Sequence, residues 1–289
     1  MALRSYLHKT RFDPRRIPGL ESWWDASDAA SVTLDSGRVS QLSDKSGNGR
    51  HAANTTSGST QPTYITGARN GLNVARFAAA SVQRLTVASS TATYKFLHDG
   101  TPCWWIAVNT FGTVSNPASY YCLWSTYASS AGVGSYFAYD DGGSQGNFPG
   151  TANNSADIFV ARGVAASFVA ETMNAGKTAY QSGYANILTP NAMLVSDCLF
   201  DVANATASER LSLSVNGATA IKQNVFTNTP STANATGNMT VGGAIVGGTF
   251  FSALQGDVCE LMLFSQQPTA AARDLIRRYL GAKWGVTVA

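Results

Sequence analysis

Apolar and polar positions alternate with a period of two along much of the chain, and that pattern predicts strands. Leu211, Leu213 and Val215 alternate with serines, as a half-buried strand does. Asn216-Gly217 follows at once, a strong hairpin signal, with Ala218–Gln223 as the return strand. Further runs at Leu72–Phe77, Cys103–Asn109, Tyr120–Tyr127, Gly134–Tyr139, Ser167–Met173, Ala192–Val202, Met239–Gly242 and Asp257–Phe264 are bounded by Gly, Asn, Ser or Pro clusters. Many strands without interleaved helices predict an all-β fold, an antiparallel β-sandwich. One stretch switches to a helical period. Thr269 is its N-cap, Leu275, Ile276, Tyr279, Leu280 and Trp284 form an apolar stripe, and Gly285 closes it, predicting a helix over 269–284 packed on the sandwich. Arg277, Arg278 and Lys283 suit its C-terminal dipole, and their face is expected to be solvated.

Composition adds long neutral loops to this picture. Of 289 residues only 13% are charged, about half the usual ~25%. With 6 Trp, 11 Tyr and 13 Phe the chain has ample core material, which excludes disorder. The widest connections are Phe111–Ala118, Asp140–Ala156, Gln181–Asn191, Ala203–Glu209 and Thr227–Gly237, of the length that often carries binding function. The net charge of +3 is unevenly placed: Arg4, Lys9, Arg11, Arg15 and Arg16 against Asp13 alone give the first 16 residues +4. Residues 1–17 therefore read as a basic anchoring arm, ended by Pro18-Gly19, and residues 18–289 as one domain. The arm has little aromatic interleaving, so an acidic protein partner is expected rather than nucleic acid. The start lacks the apolar run of a secretory signal, and no ~20-residue apolar run spans a membrane. Cys103, Cys122, Cys198 and Cys259 lie in apolar strands without CxxC spacing, which predicts buried free thiols in a protein made in the cytoplasm.

Two segments carry a resemblance. PGLESWWDASDAASVTL with VSQLSDKSGNGRHA (Pro18–Ala52), and GDVCELMLFSQQPTAAARDLIRRYLGAKWG (Gly256–Gly285), resemble the opening segment and the final strand and helix of concanavalin A-like, laminin-G-like domains. Such modules occur in tailed-bacteriophage virion proteins and in bacterial surface proteins. The resemblance implies a jelly-roll domain bracketed by these ends. It also implies a calcium site using Asp25, Asp28 or Asp44, and no other cofactor. Read from the residues alone, one of Trp23 and Trp24 faces the core and the other does not. Asp25 and Asp28 cap the following turn, and Asp44 accepts backbone N–H groups of the Ser46–Gly49 turn.

Catalysis finds little footing. Glycoside hydrolysis needs two carboxylates ~5–5.5 Å or ~6.5–9.5 Å apart. Asp257 and Glu260, at i and i+3 on one strand, should point to opposite faces. Asp197 and Asp201 share a face but lie ~13 Å apart along an extended strand. No GxSxG, P-loop, HExxH or GxGxxG signal is present. Sugar binding has more support, because sugars stack on aromatic faces while carboxylates and amides hold their hydroxyls. Tyr136, Tyr139, Asp140, Asp141 and Asn147 form one candidate glycan site, with Trp104 and Trp105 a second candidate pair, of which Trp105 is the stacking surface. The competing reading makes these aromatics core residues and Asp140-Asp141 a hairpin tip. Together these observations predict a non-enzymatic virion structural protein of a tailed phage, a head decoration, fibre or tail-associated part. Its arm would meet other virion proteins, its lectin-like body would bind a host surface glycan, and homo-oligomers are expected from appendage symmetry. The alternative is a bacterial surface or secreted glycan-binding module; a glycoside hydrolase ranks below both.

Overall fold

The structure, a computed structural model, describes residues 12–112, 120–128, 133–140, 155–161, 179–182, 191–218, 221–222, 230–246, 249–251 and 253–289. A curled antiparallel sheet doubles into two layers. In the first layer Gly256–Phe264 is central, flanked by Leu20–Asp25 on one side and Cys103–Asn109 on the other. Leu194–Phe200, Leu211–Val215 and Ile221–Lys222 continue outward from Cys103–Asn109. Leu72–Phe77 pairs with the beginning of Gly256–Phe264 and carries Thr63–Arg69. The second layer runs Arg38–Leu42, Ala52–Ala53, Leu85–Thr86, Thr240–Val241, Tyr120–Ser125, Gly134–Asp140, Ser155–Ala161 and Ala179–Ser182. The Arg38–Thr63 pairing joins the layers along one edge.

Strand alternation feeds two cores instead of one core and a wet face. Cys103, Trp105 and Ala107 point between the layers, where Trp24, Trp124, Phe137, Leu261 and Leu263 also pack. Trp104, Ile106 and Val108 point to the other side, joined by Trp23, Met262 and Phe264 beneath the helix α1 (Ala270–Trp284). A central strand covered on both faces reads as a continuous apolar run, and Cys103–Asn109 is buried throughout. Trp23 and Trp24 are accordingly both buried, one in each core, which corrects the expectation that one would face away.

Helix α1 forms as its sequence predicts. Thr269 accepts the Ala272 N–H, and Gly285 takes the left-handed conformation at φ 72° that closes the helix. Two details differ. Leu275 lies on the outer face, 42% exposed, while Ile276, Leu280 and Trp284 are buried. Of the basic residues, Arg277 and Lys283 turn inward to carboxylates, and Arg278 stays exposed. The root of the arm is packed as well: Phe12 and Ile17 lie against the second core, with Phe12 5.1 Å from the ring of Tyr279. The strands Ser155–Ala161 and Ala179–Ser182 arise within or beside stretches read as loops, and the predicted strand Ser167–Met173 lies outside the described residues. Among the described residues no helix is long and apolar enough to cross a membrane.

Candidate functional site

The aromatic residues nominated for sugar stacking lie in the interior. Trp105 is 2% exposed, edge-on to Trp124 at 5.6 Å and 4.4 Å from Phe137, so no face of its ring is open to a ligand. Tyr136 is 8% exposed and its ring neighbours Tyr127. Both are corrected to core residues, because the strands that carry them are covered on the sides these rings occupy. The indole N–H groups of Trp105 and Trp124 find no hydrogen-bond partner among the described residues. Tyr139 and Asp140 extend the strand Gly134–Asp140, opposite Ala156 and Ser155, and Asp141 and Asn147 lie outside the described residues. Arg4, Lys9 and Arg11 of the arm also lie outside them.

The carboxylates proposed for calcium are instead occupied by protein donors. Asp44 accepts the backbone N–H groups of Trp23, Ser46 and Arg50, fixing the turn that holds Gly47 and Gly49 at positive φ. Asp28 caps the short helical turn Ala29–Ser31 and meets Lys45 Nζ at 2.7 Å. Asp25, 2% exposed, takes Lys45 Nζ at 2.9 Å and Lys283 Nζ at 2.8 Å on one oxygen and the Ser27 hydroxyl at 2.6 Å on the other. Two ammonium groups stand where a calcium ion would draw on these oxygens, and Asp44 faces a separate turn. Among the described residues no cluster of three metal-ligating side chains is assembled.

Asp25 belongs to a larger array on the helix side of the first layer. It stands directly across from Glu260, and Lys283 Nζ bridges them, 2.6 Å from Glu260. The indoles of Trp23 and Trp284 donate to Glu260 at 2.8 and 2.9 Å. Burial pushes the Glu260 carboxyl up, and the charge of Asp25 adds to that. Burial also opposes ionisation of Asp25, but Lys283 and the hydrogen bonds from Ser27 and Lys45 outweigh it and hold that carboxyl down. Asp197 repeats the device: Arg277 grips both its oxygens at 2.6 and 2.8 Å, and the Trp104 indole donates at 2.9 Å. Asp257 is held by Arg76 and Arg69. A register shift between Val258 and Glu260 puts Glu260 on the same face as Asp257, which corrects the expectation of opposite faces.

Above this array opens a cleft of about 950 Å3. It is bounded by the arm root, the turn after Asp25, Lys45 and the outer end of α1. The residues it gathers, Lys45, Tyr279 and Lys283 with Trp23, escaped the sequence reading because they are far apart in the chain. Their sequence signal was indirect: Glu260 in an apolar strand demands a cationic partner, which Lys283 supplies.

The class the architecture defines is an all-β antiparallel sandwich with one C-terminal helix. No protein-family profile and no curated protein matches the chain. Among solved structures it is similar to a GH54 α-L-arabinofuranosidase soaked with a cyclic sulfate inhibitor, at TM-score 0.51 and 11% identity over 86% of this chain and 51% of that one. It is also similar to an arabinofuranosidase complexed with arabinofuranosyl-α-1,2-xylobiose, at TM-score 0.50 and 12% identity over 87% of this chain and 52% of the other. The chain thus spans about half the length of these enzymes. The Ruminococcus gnavus IT-sialidase CBM40 matches at TM-score 0.43 and 12% identity, over 65% of this chain and 85% of that one. At these identities the likeness defines the fold, one compatible with a lectin-like jelly roll.

Proposed function

We propose that this protein is a non-catalytic, lectin-like recognition module that binds glycans, built into the virion of a tailed phage as a structural component. One observation carries the reading. On a sandwich of the kind that sugar-processing proteins use, the buried carboxylates Asp25, Asp197, Asp257 and Glu260 are each committed to Lys or Arg side chains. Glycosidic cleavage needs one carboxyl to give a proton and another to attack or to activate water, with the substrate between them. Carboxylates neutralised under a helix serve cohesion instead. The finer assignment to a virion rests on the resemblance of Pro18–Ala52 and Gly256–Gly285 to modules of phage proteins and on the concentration of positive charge in the arm. The arm would join the body to an acidic surface of a neighbouring virion protein, leaving the sandwich outward. Quantitative mass spectrometry of gradient-purified particles tests this assignment. A fixed ratio to the major capsid protein is expected. Absence from particles, with the protein on cells or in the medium, would favour a bacterial surface module.

A further inference from the structure

We infer that the cleft between the arm root and α1 is a saccharide site selective for sugars bearing a carboxylate. This deepens the glycan-recognition reading and rests on it. The cleft combines apolar and aromatic lining from Phe12, Leu72 and Tyr279 with a floor of charged groups. That combination suits a sugar, which presents an apolar ring face and polar edges. Its volume, about 950 Å3, is at the upper end of the usual ~300–1,000 Å3 for ligand sites and accommodates a short oligosaccharide.

The selectivity follows from which charges are already matched. Asp13 is clasped by Arg15, Asp28 by Lys45, and Asp25 by Lys45 and Lys283. Arg16 differs: it lines the same cleft, its side chain is exposed, and its guanidinium makes no hydrogen bond or close ion pair among the described residues, only a longer-range attraction to Asp13. A guanidinium is always charged and presents a planar fork that matches a carboxylate with two parallel hydrogen bonds. The backbone beneath it is fixed, since Asp13 caps the turn Pro14–Arg16 and Phe12 and Ile17 pack on either side. The backbone that carries Arg16 is therefore held at the cleft. Asp28, whose side chain is 39% exposed, faces the same space and can accept a hydroxyl proton from a neutral part of the sugar.

The test is calorimetric titration of the full chain with tetragalacturonate and with the same tetrasaccharide after reduction of its carboxyls to alcohols. The wild type is expected to bind the acidic form at least tenfold more tightly. Arg16→Ala should erase that preference, and Arg16→Glu should abolish binding of the acidic form, both with unchanged thermal melting because the Arg16 side chain is exposed. Equal binding of the two tetrasaccharides, or a preference that survives Arg16→Glu, would overturn the site while leaving glycan recognition standing. Failure to bind either one, or any member of a broad saccharide panel, would overturn the site and the reading beneath it. A poly-glutamate peptide that binds through Arg16 where all saccharides are silent would make the cleft a protein-docking surface and overturn the proposal.

Discussion

Lys283 is a single side chain on which two buried carboxylates depend. Its ammonium lies 2.8 Å from Asp25 and 2.6 Å from Glu260 in a site closed by the indoles of Trp23 and Trp284. Removing one partner of a buried ion pair strands charge in a low dielectric, so Lys283→Met should destabilise the fold by about 3–5 kcal/mol. Urea unfolding monitored by Trp fluorescence would measure it. The pH dependence has a defined sign. The folded-state value of Asp25 is depressed, so its contribution is fully present above its ordinary value of 3.8 and is lost as pH falls through the depressed value. Lys283 is raised despite burial, chiefly by the charges of Glu260 and Asp25, so its contribution holds below 10.5 and is lost as pH rises through the raised value. The variant should therefore lose most of its stability difference from the wild type at the two extremes. A difference that stays flat between about pH 4 and 10 is expected; one that persists undiminished both below the depressed Asp25 value and above the raised Lys283 value would contradict this role for Lys283. The same scale marks the limit of the sequence reading. The acids were visible inside apolar strands, but the cations that meet Glu260 and Asp197 lie on α1, whose basic residues looked like an ordinary solvated face. The turn at Asp44 was legible because a carboxylate next to Ser-Gly-Asn-Gly makes its bonds locally.

The elements divide along similar lines. Leu72–Phe77, Cys103–Asn109, Leu211–Val215 and helix α1 were readable from periodicity and caps, since their determinants lie within each segment. The bulge before Glu260 was not, because parity changes there without a glycine or proline to signal it. Nor could periodicity tell that Trp105 faces the inter-sheet core: a strand buried on both sides hides its orientation. Turn glycines act at this level too. Gly242 has φ 94° and follows the strand Thr240–Val241, and a methyl group on it would fall on the Phe77 ring. Gly242→Ala combines a disfavoured φ with overpacking against a buried ring, so a loss of about 2–4 kcal/mol is expected. Thermal unfolding measures it; a shift under a degree would mean that strand and ring repack freely.

At the scale of the whole molecule, the sandwich has its helix side covered by α1 and its buried acids tied to cations. The fold was largely legible in the sequence, since strand periodicity and hairpin signals are local. The site was not. The aromatic residues nominated for stacking were drawn into the core, and the cleft came together from the arm root, the turn after Asp25, Lys45 and the final helix, whose meeting only tertiary structure defines. Recognition of saccharide without turnover is the claim on which the account stands. Its most direct test is a saccharide microarray probed with the 289-residue chain, followed by mass spectrometry of the bound sugars. The account predicts retention of a defined subset of glycans, recovered intact after prolonged incubation. Binding to none of them, or release of shortened products, would contradict it.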